Sequence, residues 1–315
     1  MSRDPYPEVA PGIHLVDLFE RGVPHITSGY LIRAPRPAIV DVGGARSVPV
    51  WLDALAALGV RPADIAYVIV THIHLDHSGG VGQLLQCTPE ARVVVQPRGA
   101  RHLIDPSRLV AGARAVFGLH LETYFGVPAP VPEARLLVVE DGAGLDLGGG
   151  HRLRVIDAPG HARHQHMIMD AGAGALFSAD ELGEHLPDVA DDYVMADTAP
   201  NQFDPDAMLR SAERLRELRP RAVLCSHFGR YPGTYEALYD RLTREVPFVA
   251  SLGRVGGRRA TPDEITAALV EHVRRELAER GIAWTEAIGG LLDERLRISA
   301  QGIADYHERR AGAGS

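Results

Sequence analysis

The sequence predicts an α+β fold, with strands outnumbering helices and a helical C-terminal extension. Three observations predict it. Short β-rich apolar runs punctuated by Gly and Pro recur over the first 230 or so residues, only a few helical patterns are inserted between them, and near Gly233 the pattern turns helical. The expected units are therefore residues 1–233, the main domain, and residues 234–315, a helical extension.

Taken in order, the candidate strands fall at 12–17, 28–33, 38–41, 67–71, 92–96, 135–139, 153–157, 166–170, 175–178 and 222–226. Helical patterns lie between them at 48–58, 80–86 and 205–218. The last has Asp204 as its N-cap, Pro205 at the first helical position and Pro220 beyond its end. In the extension, Thr261-Pro262-Asp263-Glu264 has the form of a capped helix start. Ile265, Leu269, Val273 and Leu277 then recur every four residues and form one apolar face. Packing on the main domain, a dimer contact or a pocket wall would each use such a face. The closing AGAGS reads as a disordered tail.

The 315 residues are 45% hydrophobic and 23% charged, ordinary globular usage. The net charge of −8 disfavours an extended phosphate-neutralising surface, so no nucleic-acid partner is expected. All 33 basic residues are arginine, which rules out a phosphate-loop lysine, a Schiff-base lysine and a Ser-Lys dyad. Cys87 and Cys225 are too few for a disulfide framework or a four-thiolate zinc site. The N-terminus lacks the apolar run of a signal peptide, and no apolar stretch approaches a membrane span. The expectation is a cytoplasmic protein with a small-molecule substrate, no membrane partner and scope for a homodimer.

Chemistry concentrates in Thr71-His72-Ile73-His74-Leu75-Asp76-His77-Ser78-Gly79-Gly80, directly after an apolar strand. His72 and His74 are two apart in an extended segment and project to one side, while Asp76 and His77 lie on the turn into the next helix. One segment can thus face two adjacent metals. In a chain with 15 His and 22 Asp, chance assembly of H-x-H-x-D-H is on the order of one in a few hundred. A dinuclear centre needs further imidazole and carboxylate ligands. Three candidates stand just beyond apolar runs: His161, Asp180 and His227.

The motif THIHLDHSGG, followed in order by the segments ending at His161, Asp180 and His227, resembles the metallo-β-lactamase superfamily, over about residues 10–232. It looks like the hydrolase branch that includes glyoxalase II and the quorum-signal lactonases. The resemblance implies a four-layered αβ/βα sandwich with the metal site at one edge. It also implies His72, His74 and His161 on one metal, Asp76, His77 and His227 on a second, and Asp180 bridging. The cofactors would be two divalent ions, zinc first, with iron or manganese as alternatives.

The chain departs from the family in several places. Where a further histidine is common, this chain has Gln165, flanked by His164 and His166, each either a donor behind the ligands or a surface or core histidine. Asp180 stands where the major β-lactamases use a cysteine, which disfavours antibiotic hydrolysis, and Cys225 reads as a buried strand residue. No Gly-Cys-Gly-Arg-type stretch follows Asp180, and no lysine serves glutathione. Gly183 replaces the lactonases' tyrosine, for which Tyr193 is either a substitute or a packed loop residue.

The expected function is a dinuclear metal-dependent hydrolase attacking a small ester, lactone, thioester or phosphoester with a metal-bound hydroxide. Asp76 is the candidate catalytic residue, orienting water and shuttling its proton. The alternative is an iron-dependent redox enzyme of the same fold handling oxygen or a persulfide. Glu181, residues 188–203 and residues 228–235 are the expected substrate-shaping loops. The segment 98–132, with Phe117, Tyr124 and Phe125, is read either as a lid or pocket wall or as ordinary packing.

Overall fold

The computed structural model describes residues 4–313. Seven strands form the first sheet in sequence order: β1 (Glu8–Ala10), β2 (Ile13–Asp17), β3 (Ser28–Ile32), β4 (Ala38–Val40), β5 (Tyr67–Ile69), β6 (Arg92–Val95) and β7 (Leu136–Val138). The first four are antiparallel neighbours and β4 to β7 run parallel. Parallel pairing needs crossovers. These are α1 (Val48–Ala57) between β4 and β5, and the short α2 (Leu75–Ser78) with α3 (Val81–Cys87) between β5 and β6. Helices α4 (Pro97–Ile104), α5 (Ser107–Phe117) and α6 (Leu121–Phe125) precede β7.

The second sheet contains β8 (Gly144–Gly148), β9 (His151–Asp157), β10 (His166–Asp170) and β11 (Ala175–Phe177). A small ribbon follows, β12 (Glu184–His185) with β13 (Val194–Met195), then α7 (Pro205–Leu215). Strands β14 (Ala222–Cys225) and β15 (Gly229–Arg230) complete the sheet in the order β15-β14-β11-β10-β9-β8. Beyond it lie α8 (Tyr235–Ser251), the hairpin β16 (Arg254–Val255) with β17 (Arg258–Arg259), α9 (Pro262–Glu279) and α10 (Glu286–Ala313).

Side-chain alternation stacks the layers. In β4, Ala38 and Val40 enter the core between the sheets while Ile39 enters the core beneath the first helical layer; Tyr67 and Ile69 against Val68 repeat the split in β5. Strands buried on both faces read as unbroken apolar runs. The outer face of the second sheet, through Met167, Leu176 and Val223, packs on α7 to α10. The result is the four-layered sandwich of two sheets between helical layers.

The apolar face of α9 joins the cluster with Leu238, Leu242 and Val246 of α8 and Leu292 and Leu296 of α10. That cluster runs from Ile156 to Ile303, so residues on both sides of position 233 share one core. At the start of α9 the Thr261 hydroxyl accepts from the Glu264 N–H and the Glu264 carboxylate accepts from the Thr261 N–H, a reciprocal cap. One expectation needs correction at the C-terminus. Ala311, Gly312 and Ala313 continue α10, while Gly314 and Ser315 lie outside the described residues. No helix among the described residues is long and apolar enough to cross a membrane.

Candidate metal centre

The seven candidate ligands come from loops at strand ends. His72 to His77 follow β5, His161 follows β9, Asp180 follows β11 and His227 follows β14. The paired glycines closing the first motif permit a close backbone approach. Gly80 N–H donates to the Gly43 carbonyl at 2.8 Å, and a Cβ on Gly80 would stand 2.6 Å from the Gly44 carbonyl oxygen. That contact seats the histidine loop against the loop leaving β4.

All seven residues meet. His72 Nε2 lies 2.9 Å from His74 Nδ1, and His161 Nε2 lies 3.0 Å from the same atom. Asp180 Oδ2 stands 3.3 Å from His72 Nε2, 3.5 Å from His161 Nε2 and 3.2 Å from His77 Nε2, and its Oδ1 is 3.8 Å from His227 Nε2. Asp76 Oδ2 is 3.3 Å from His77 Nε2 and 3.4 Å from His227 Nε2. Two donor groups result, His72, His74, His161 and Asp180 in one and Asp76, His77 and His227 in the other, each with ligand atoms within 4.8 Å of one another. A tetrahedral site with bonds of about 2.1 Å has edges of about 3.4 Å, which is the scale of these separations. His77 Nε2 and Asp180 Oδ1 are buried and make no hydrogen bond. Converging lone pairs and unpartnered buried atoms fit a cation at each group.

Partners behind the rings fix their orientation. His77 Nδ1 meets Asp41 Oδ2 at 3.1 Å, His227 Nδ1 donates to the Ile26 carbonyl at 2.8 Å, His72 Nδ1 is 3.2 Å from Thr71 Oγ1, and His161 Nδ1 faces Asp197 Oδ2 at 3.2 Å. Asp41 also accepts from the Thr71 N–H and hydroxyl and from the Ser226 hydroxyl, with a left-handed backbone (φ 55°). Sequence reasoning missed Asp41 although it ends an apolar run, the signal that identified Asp180. Asp197 carried no signal of its own.

Burial sets the electrostatics. It drives the His74 imidazole down to about 3, with His161 adding to the effect. It also opposes charge on His161 and His227, but Asp197 and Asp180 outweigh it at His161, about 9, and Asp180 and Asp76 outweigh it at His227, about 10. Asp76 and Asp180 are held below the usual carboxylate range because His77 and His227 overcome their burial. Both carboxylates are thus kept as anions beside rings that include neutral ones, a donor set suited to a divalent cation.

Flanking residues separate into distinct roles. His164 lines the cavity over the centre, its ring 5.5 Å from that of His74, and burial lowers its pKa to about 2. His166 is a core residue, its Nε2 donating to the Val70 carbonyl at 2.7 Å. Gln165 donates to Glu181 at 2.7 Å. Tyr193 and Cys225 lie in the apolar core.

The centre opens into a cavity of about 320 Å³. Leu109, Ala113, Val116 and Phe117 of α5 line it with Phe125 of α6, and Phe117, Tyr124 and Phe125 pack edge to face on one another, so residues 98–132 are both wall and packing. Residues 197 and 199–202 of the expected 188–203 loop line it too. Two expectations are corrected. Glu181 is wholly buried and turned inward, where it accepts from the Gly160 and His161 N–H groups and burial pushes its carboxyl up to about 7. Residues 228–235 are absent from the lining because Phe228, Tyr231 and Tyr235 pack inward. Sequence reasoning also missed Glu20, Arg21, Glu184 and the α10 residues Glu294, Arg295 and Ile298.

Residues 22–227 match the family model described as metallo-beta-lactamase superfamily. The chain is 29% identical over 216 residues to "Metallo-beta-lactamase fold-containing protein ST1585" of Sulfurisphaera tokodaii, covering 66% of this chain and 79% of that protein. The solved structure described as ST1585 from Sulfolobus tokodaii superposes with a TM-score of 0.67, at 22% identity, over 93% of this chain and 98% of that one. A "Putative diflavin flavoprotein A 2" of Synechocystis is 26% identical over 305 residues, 90% of this chain but 45% of that protein. The chain thus spans less than half of that longer relative. An "N-acyl homoserine lactonase AttM" of Azorhizobium caulinodans is 31% identical over 114 residues, 36% of this chain and 39% of that protein.

Proposed function

Because the chain belongs to the metallo-beta-lactamase superfamily, we propose that it is a dinuclear metal-dependent hydrolase of a small ester, lactone, thioester or phosphoester. The observation that carries this reading is the pair of donor groups meeting at one buried carboxylate, Asp180. His72, His74 and His161 would hold one cation, Asp76, His77 and His227 the other, and Asp180 both. The chemistry that two bound divalent cations supply is Lewis acidity at the scissile centre and a water acidic enough to ionise near neutral pH.

The chain's own residues do the rest. Asp41, Asp197 and the Ile26 carbonyl hold the rings with one nitrogen facing the centre, so no reorganisation is needed when a substrate arrives. Asp76, the more exposed of the two carboxylates, stands at the edge of the cavity. It orients the attacking water and passes its proton to the leaving group.

The test is elemental analysis of protein purified without chelator or added metal, with turnover of an ester, lactone, thioester and phosphodiester panel. About two zinc ions per chain with hydrolysis of a panel member supports the reading. Asp76→Ala should lower kcat more than it raises KM; a pure KM effect removes the shuttle role. The redox reading draws support from the diflavin relative, whose similarity covers 90% of this chain. Iron with oxygen consumption and no hydrolysis would favour it, and protein that binds no metal would overturn both.

A further inference from the structure

The wall of the cavity is apolar where a substrate body would lie. Leu109, Ala113, Val116 and Phe117 present one side of α5, and Ile298 of α10 faces the same space. Ile298 lies beyond the 22–227 segment matched to the superfamily.

Two of the three arginines around this space, Arg21 and Arg295, are already engaged. Arg21 pairs with Glu20 and Glu294, and its guanidinium carbon lies 4.3 Å from the Tyr124 ring centroid. Arg295 Nε donates to Glu184 at 2.7 Å, and its Nη1 to the Leu291 carbonyl at 3.1 Å. Arg108 is exposed and lies on the cavity side of α5, one turn before Gly112. Carboxylates Glu20, Glu184 and Asp197 line the interior as well. An anionic group inside would meet these carboxylates and guanidiniums that already have partners, at a large desolvation cost. An uncharged aliphatic chain would only displace water from apolar surface.

We infer that the slot between α5 and α10 is the subsite for the uncharged aliphatic tail of the substrate, whose electrophilic end lies at His74, Asp76 and His161. This rests on the hydrolase reading for the position of the electrophile, and the slot itself can be tested without turnover.

The experiment uses the full metal-loaded chain and p-nitrophenyl acetate, butyrate, hexanoate and octanoate. kcat/KM should rise by roughly fourfold per added methylene until the slot is full. Methyl hexanoate should be preferred over monomethyl adipate, which ends in a carboxylate. Ala113→Phe and, as an independent variant, Ile298→Phe should each cut the hexanoate-to-acetate ratio at least tenfold, with folding checked by thermal melting. Calorimetric titration with hexanamide and acetamide reads the slot alone. Hexanamide should bind more tightly, and Ala113→Phe should remove the difference.

Equal binding of the two amides, or a preference for monomethyl adipate, overturns the aliphatic slot. Failure to hydrolyse any member of the ester, lactone, thioester and phosphodiester panel, combined with a hexanamide preference lost in Ala113→Phe, leaves the slot standing and overturns the hydrolase reading.

Discussion

The floor of the cavity consists of strand-end residues pinned by buried partners, whereas its walls come from two helices, α5 with an apolar, partly exposed face and α10 tied by ion pairs through Glu294 and Arg295. His72 and His77 on the floor are fully buried. On the walls, α5 has no buried residue, and Glu294 of α10 holds Arg21 from a side chain that is 43% exposed. Rigid groups at the ends of two packed sheets suit chemistry that needs fixed geometry, and helices laid over them can change with the substrate. Leu75 of the histidine loop packs on α5 and α6, and α10 has its own joint to the floor. Gly302 of α10 packs on the loop carrying Asp197, where a Cβ would fall 1.8 Å from the Thr198 carbonyl oxygen, and the Thr198 hydroxyl donates to the Ser299 carbonyl at 2.8 Å.

The sharpest way to separate floor from wall is Asp180→Ala, which removes the carboxylate common to both donor groups. Metal content and turnover should fall well beyond the roughly 10–100-fold cost of losing a supporting partner. Asp41→Asn strikes the floor from behind, and metal affinity measured by chelator competition should fall by about 10–100-fold with the fold retained. An unchanged affinity would mean that the Asp41 contacts to His77 and Thr71 serve folding alone.

Gly302→Val attacks the joint. Overpacking against the Thr198 backbone should lower stability by about 1–3 kcal/mol in denaturant unfolding, and preference for long-chain over short-chain esters should fall with it. Loss of stability with preference intact would detach the wall from the floor. The smallest effect is expected from Thr261→Ala, far from the cavity. Loss of this cap should lower stability by about 1 kcal/mol and leave kcat/KM unchanged; a shift in kcat/KM would show that α9 reaches the site.

Much of the floor was legible in the chain because its residues announce themselves locally. The histidine loop is a single segment, and His161, Asp180 and His227 each end an apolar run, which is where a strand delivers a side chain to the edge of a sheet. The helix beginning at Pro262 was legible because Thr261 and Glu264 cap it through local contacts. The walls were illegible for a matching reason. Ile298 and Arg295 differ in no local respect from other residues of a long amphipathic helix, and Arg21 in a surface loop signals nothing until Glu294, 273 positions away, stands beside it. Glu181 was misread because adjacency to Asp180 says nothing about direction: residues 179–182 form a turn, closed by the Glu181 N–H on the Ser178 carbonyl, and Glu181 leaves it towards the Gly160 and His161 N–H groups.

Residue identity and spacing alone determined the α+β class, ten of the seventeen strands among the described residues, the ligand-type residues and the exclusion of lysine chemistry. These depend on side-chain period, turn residues and donor chemistry, which are local properties. Only the tertiary structure decided which donors share Asp180, which carboxylates stand behind the rings, and that a helix from the C-terminal region walls a cavity whose floor is built by two sheets. Those depend on distances between segments far apart in sequence, and packing fixes such distances.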